Sequence, residues 1–308
     1  MTYLLLIVGL ALIIFGADAL IDGASGIARK FNVSEFVIGL TIVGFGTSCP
    51  ELVVSLTGAL SGSADIAIGN VVGSNIFNTL LILGVTALIA PIAITNENRL
   101  RDIPITILVT LTFILFGLFN KDISRLEGII FLLMFSAYMY MCFKLDKGDT
   151  EEVKAKQLKL FTAILMTLAG LAGLVFGGKL FVNSATDIAH SLGVSDKFIA
   201  ITLLAGGTSL PELATCIVAA VKRKGQLALG NILGSNIFNI LLILGCSAAV
   251  TPLSFNSMNY VDLGVLLLSE FAVFTSAYVG KRDKIDRLDG ALFLIIEIAY
   301  LVFLSVKL

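Results

Sequence analysis

The sequence predicts an all-α, polytopic membrane protein of ten transmembrane helices arranged as two inverted five-helix repeats, and three observations carry that prediction. Hydrophobic residues make up 57% of the 308 and charged residues 14%, with a mean hydropathy of +0.99, whereas an average soluble domain is about a quarter charged. Apolar segments fall at 3–21, 36–62, 66–89, 104–120, 126–143, 159–182, 197–221, 227–250, 261–279 and 288–306, and about 20 such residues cross the hydrocarbon core of a bilayer. Finally, the stretch from Gly44 to Gly84 is written a second time from Ala205 to Gly245. Counterparts such as Thr47 and Thr208, Glu51 and Glu212, or Asn78 and Asn239 are separated throughout by a constant step, without a gap.

A duplication this long makes the repeat the unit of the fold. Five spans per copy is an odd number, so the second copy enters from the opposite side and the halves are inverted about an axis in the membrane plane. The expected organisation is residues 1–144 as the first half, 145–158 as a short charged linker, and 159–308 as the second half. Basic residues set the orientation. Of the 21 Lys and Arg, one side of the membrane holds only Lys121, Arg125, Lys179, Lys197 and Lys307. By the positive-inside rule both termini are extracytoplasmic and the linker is cytoplasmic, in a multi-pass protein of the cell membrane. The Met-Thr-Tyr start lacks a basic n-region, so the first apolar segment is expected to be a retained span.

Composition also excludes partners and chemistries. A net charge of −1 offers nothing to a phosphate backbone. Cys49, Cys142, Cys216 and Cys246 all lie in apolar segments, where cysteine acts as a small hydrophobe, so neither disulfides nor a thiolate metal site is expected. No obligate protein partner is evident, and no catalytic Asp pair or Ser–His pair lies in the spans. The chain is read as a non-enzyme with the lipid bilayer for its surroundings and no cofactor.

The repeat places polar oxygens in hydrocarbon. In Thr47-Ser48-Cys49-Pro50-Glu51, helical spacing stacks Thr47 on Glu51 with Ser48 beside them. Pro50 has no amide hydrogen and collides with the carbonyl of Gly46, so a break that frees carbonyls is expected near Gly44 and Gly46. Such backbone survives at membrane depth only when buried in protein or lining a polar cavity. Thr208, Ser209, Pro211 and Glu212 repeat the arrangement. One span later Ser74 and Asn78 share a helix face, as do Ser235 and Asn239. Carboxylate, hydroxyl and amide oxygens are hard ligands, suited to Ca2+ and Na+ rather than to zinc or copper. An intramembrane carboxylate costs about 2.5 kcal/mol or more at a span centre, and a cation between Glu51 and Glu212 would offset two of them.

Blander readings apply to the other features. Gly69 with Gly73 and Gly230 with Gly234 form GxxxG patterns that serve helix packing, and a lone Ser or Asn in a span is commonly interhelical glue. Asp18, Asp22, Lys179 and Asp187 are read as interfacial charges at span ends, and His190 as a solvated residue of a connection. Glu270 and Glu297 lie in the last two spans without repeat counterparts and are left outside the site.

With those residues in view, the chain resembles the sodium/calcium exchanger branch of the cation/calcium antiporters, in its compact prokaryotic form. The double Gly-Thr-Ser-x-Pro-Glu followed by Gly-Asn-x-x-Gly-Ser-Asn-Ile-Phe-Asn carries the resemblance. It implies a mid-membrane cation cluster formed by Thr47, Ser48, Glu51, Ser74, Asn78, Thr208, Ser209, Glu212, Ser235 and Asn239, with backbone carbonyls of Gly44 and Ala205. It also implies that the first and sixth spans slide past the remaining bundle. Both Asn78 and Asn239 are neutral where several relatives carry an acid at one of the two, which points away from potassium dependence.

The implied activity is antiport of Ca2+ against Na+ by alternating access. A calcium/proton antiporter and, from a different class, a cation channel are the alternatives. Two carboxylates are neutralised by one Ca2+ or two Na+, whereas three Na+ would carry one net charge, coupled to the membrane potential at about 2.3 kcal/mol per 100 mV. Acid pH is expected to inhibit, and Glu51→Gln or Glu212→Gln to abolish calcium flux.

Overall fold

The computed structural model describes residues 2–62, 64–145, 158–193, 206–255, 259–279 and 283–307. They form α1 (Thr2–Phe31), α2 (Glu35–Thr47), α3 (Cys49–Leu60), α4 (Asp65–Ile89), α5 (Asn98–Phe119), α6 (Arg125–Lys144), α7 (Leu160–Ser191), α8 (Leu210–Val221), α9 (Gly225–Val250), α10 (Tyr260–Tyr278) and α11 (Arg287–Val306). Among the described residues eight helices are long and apolar enough to span a membrane, and the bent pair α2–α3 makes a ninth. The expected seventh span, 197–221, is represented by α8 alone, which is shorter; its expected start, at 197–205, lies outside the described residues. The linker 145–158 also lies largely outside them.

Helix boundaries follow local chemistry. α1 runs ten residues beyond the expected end of its apolar segment, because its polar last turns have partners. Lys222 lies 2.8 Å from Asp18 and 2.7 Å from Asp22, and Arg29 and Lys30 in the final turn complement the helix C-terminal partial charge. Asn32, in left-handed backbone at φ 52°, then stops it. Asp18 and Asp22 are therefore ion-pair partners of the α8 terminus rather than plain interfacial charges. His190 sits in the last turn of α7 instead of in a connection. At the start of α2, Ser34 Oγ accepts from the Val37 amide at 3.1 Å, an N-cap of the usual kind.

Burial separates a centre from a rim. The apolar window of α9 is 94% buried and that of α4 67%, whereas α6 and α11 reach only 22%, so α9 and α4 occupy the middle and the outer helices present apolar side chains such as Phe119 and Phe161 outward. α1 and α7 pack antiparallel along a glycine seam. A Cβ on Gly16 would lie 2.9 Å from the carbonyl of Gly170, and one on Gly9 3.0 Å from that of Gly177, so the two backbones are in direct contact at these glycines. Gly230 and Gly234 of α9 likewise lie against the backbone of Phe36 and Leu40 in α2, so this GxxxG is a packing face.

Two short antiparallel pairings tie the halves together: β1 (Ile92–Ala93) with β4 (Lys284–Ile285), and β2 (Asp122–Ile123) with β3 (Leu253–Ser254). The step that relates the duplicated stretches carries Ile92 onto Leu253, and a step one residue longer carries Ile123 onto Ile285. With that one-residue difference, exchanging the halves maps the Ile92–Ile285 pair onto Leu253–Ile123.

Candidate functional site

The site grows from one bend and from the matching start of α8. α2 and α3 meet at 49° across Ser48, whose φ and ψ are −83° and 6°, with Pro50 in the first turn of α3, where its missing amide hydrogen costs nothing. Ser209 (φ −89°, ψ 5°) and Pro211 repeat this geometry at the start of α8. Each acid then falls in the first turn of a helix, Glu51 in α3 and Glu212 in α8, where the N-terminal partial charge offsets part of the cost of a carboxylate.

The freed-carbonyl expectation holds only in part. Gly44 is not left bare: its carbonyl accepts from the Ser48 amide at 3.0 Å and from Thr47 Oγ1 at 3.3 Å. The bend falls one turn later than expected, so the helical bond at Gly44 is kept. Ala205 lies outside the described residues.

The two acids meet. Glu51 and Glu212 are each 1% exposed and act on one another electrostatically. Their partners are crossed: Ser48 Oγ donates to Glu212 Oε1 at 3.0 Å, and Ser209 Oγ donates to Glu51 Oε1 at 3.3 Å. Thr208 stands by Glu51 and Thr47 by Glu212 in the same crossed sense. The second oxygen of each acid, Oε2, has no hydrogen-bond partner among the described residues. A buried acceptor left bare costs about 1–3 kcal/mol, more when charged.

The amides show the same division. Asn239 Nδ2 donates to Asn75 Oδ1 at 2.9 Å and Asn78 Nδ2 to Asn236 Oδ1 at 3.3 Å. With their NH2 groups so occupied, Asn78 Oδ1 and Asn239 Oδ1 are left without partners among the described residues, as are Ser235 Oγ and Thr208 Oγ1. Ser74 is buried alongside. Both amides lie in π-helical turns, Phe77–Ile82 and Phe238–Leu244, a local widening that recurs at functional sites. The bare oxygens of the predicted set thus belong to two carboxylates, two amides and two hydroxyls, all hard donors with no thiolate or imidazole among them.

Four residues outside the expected set hold it in place. Asn75 and Asn236 turn the two site amides. Asn231 accepts from Thr47 Oγ1 at 3.3 Å and donates to Thr215 at 2.9 Å. Asn70 donates to the Glu51 carbonyl at 3.3 Å and to Ser55 at 3.0 Å. All four are themselves duplicated, and that duplication was the available signal.

Membrane-spanning helices, one of them broken beside a buried set of hard oxygens, define a polytopic membrane protein of the cation-transporting class. The comparisons then place it. Residues 1–144 and 162–306 match the profile of the family described as sodium/calcium exchanger protein, and the chain belongs to that family. It is 33% identical over 345 aligned positions to the sodium/calcium exchanger MaX1 of Methanosarcina acetivorans, covering 98% of both chains. It is 36% identical to the uncharacterized membrane protein MJ0091 of Methanocaldococcus jannaschii, covering 95% of this chain and 94% of that one. In three dimensions it resembles the sodium-calcium exchanger NCX_Mj soaked with Na+ and Sr2+, with a TM-score of 0.86 at 33% identity, covering 98% of this chain and 97% of that one.

Proposed function

We propose that this protein is a secondary antiporter that exchanges Ca2+ for Na+ at a single cluster built on Glu51 and Glu212. The observation that carries the reading is the set of bare, buried oxygens: one from each acid and one from each of Asn78 and Asn239, with Ser235 Oγ and Thr208 Oγ1. Thr47, Ser48, Ser209 and Ser74 complete the side-chain set. Ala205 contributes a carbonyl on the second side, and Gly44 contributes through the remaining lone-pair capacity of an oxygen already in use. Family membership and the exchangers it resembles support the choice of ions.

The two halves, 1–144 and 159–308, are inverted five-span repeats about this cluster, joined by the cytoplasmic linker 145–158, with both termini extracytoplasmic. α1 and α7 move as one unit, because their backbones are in direct contact along the glycine seam, and this unit slides past the rest. The carboxylates repel when no cation lies between them, which disfavours reorientation of the empty carrier and enforces exchange.

The test is calcium uptake by proteoliposomes loaded with sodium. Uptake is expected on dilution into sodium-free medium and is expected to vanish when sodium is equal on both sides. Uptake driven by a proton gradient without sodium would assign the calcium/proton alternative, and uptake without any counter-ion would assign a channel.

A further inference from the structure

Glu270, in the middle of α10, is 1% exposed and has no counterpart in the first half. One of its oxygens, Oε1, accepts from Asn236 Nδ2 at 3.3 Å. The other Nδ2 hydrogen of Asn236 goes to Thr79 Oγ1 at 2.7 Å. The carboxylate oxygen of Glu270 fixes which end of the amide faces that side, since an amide oxygen cannot donate to it; the Thr79 hydroxyl, which can donate or accept, follows. Asn236 Oδ1 is thereby turned to Asn78, whose Nδ2 donates to it at 3.3 Å. Once that NH2 is committed, Asn78 presents its bare Oδ1 to the site.

We propose that Glu270 is a positioning residue for cation binding, acting through Asn236 to hold the oxygen of Asn78 toward the cluster. The inference rests on the exchanger reading above. It is specific to one half, because the mirror amide is held differently. Asn75, which takes up the NH2 of Asn239, is itself turned by a main-chain acceptor, its Nδ2 donating to the carbonyl of Asn236 at 3.1 Å. A carbonyl in a helix cannot be removed by a side-chain change, whereas Glu270 can. Its carboxyl presents an acceptor oxygen whether or not it carries a proton, so the relay needs the oxygen and not the charge.

The test is equilibrium binding of radiolabelled calcium to the purified full-length protein in detergent, for wild type, Glu270→Met, Glu270→Gln, Asn78→Ala and the pair Glu270→Met with Asn78→Ala. Glu270→Met is expected to weaken binding about five- to tenfold, the worth of roughly one net hydrogen bond. Glu270→Gln keeps an acceptor in place and is expected to restore most of that loss. Asn78→Ala weakens binding by itself, and adding Glu270→Met to it changes nothing further, since the relay then has no end. Additive losses, a Gln variant as weak as Met, or a Met variant that binds like wild type would each overturn the proposal.

Should Glu270→Met fail to fold, Asn236→Ala replaces it in the cycle with the same expectation. The cycle is also read in melting temperature without cations, which separates the two claims. Wild type that binds no calcium, with variants still non-additive in melting, defeats the exchanger reading and leaves the relay. Wild type that binds calcium, with variants additive in both readouts, defeats the relay alone.

Discussion

Replacing Glu212 with Gln removes one negative charge while keeping nearly the same volume and the acceptor that Ser48 reaches at 3.0 Å. What is lost is the charge on an oxygen that has no partner among the described residues and sits on a residue 1% exposed. A carboxylate oxygen meets Ca2+ at about 2.4 Å. At an effective dielectric of about 20 the gross Coulomb attraction there is about 14 kcal/mol for Ca2+ and about 7 for Na+. These figures are not net energies, because a neutral amide oxygen still coordinates, but their ratio of about two follows from the charges alone. Breaking a buried charge pair costs about 3–5 kcal/mol net, which weakens calcium binding by more than about two orders of magnitude. Sodium should lose about half as much on the logarithmic scale, so the variant loses selectivity as well as affinity. Calorimetric titration of the purified variant with each cation measures both losses, and Glu51→Gln should match because its environment is the crossed copy. Equal losses for the two ions, or calcium affinity kept within about tenfold, would refute the placement of the charge at the cation.

Other expectations follow from the same geometry. Ser48→Ala and Ser209→Ala each remove one hydroxyl from an acid, and each should weaken calcium binding by about fivefold, far less than loss of a carboxylate. Gly16→Val would place side-chain atoms against the Gly170 carbonyl and cost about 1–3 kcal/mol by overpacking. A thermal melt should show the destabilisation, and a transport assay should show slowed exchange with binding retained. Lys222→Met releases Asp18 and Asp22. Partly exposed pairs are worth about 0.2–1 kcal/mol each, so losing both should shift the ratio of half-saturating calcium on the two membrane faces by no more than about thirtyfold; an unchanged ratio would show that this contact does not bias the carrier. Acidification should reduce uptake, since protons compete with cations for Glu51 and Glu212. Uptake that does not change with pH would contradict a site that depends on their charge.

The sequence was most legible where the bilayer constrains it most. Apolar runs located the helices to within a few residues, as in 66–89 for α4 and 288–306 for α11, because hydrocarbon leaves the backbone few alternatives. The acids stood out for the same reason: a carboxylate in such a run demands compensation. The amides were harder to sort. Asn78 and Asn239, with bare oxygens, and Asn75 and Asn236, which turn them, are the same residue type in the same motif, and only the crossing of the halves assigns their roles. Polar partners also hid the full length of α1, since Asp18 and Asp22 find Lys222 from the far half. Glu270 was visible as a buried charge, but its contact to Asn236 belongs to packing between α10 and α9, which no local pattern encodes.

The claim on which the account turns is that one acid from each half grips the same cation. Anomalous diffraction from crystals soaked in strontium tests it most directly. The account predicts an anomalous peak bridging Glu51 Oε2 and Glu212 Oε2, lost in Glu212→Gln. A peak held by one acid alone, or by neither, would contradict it.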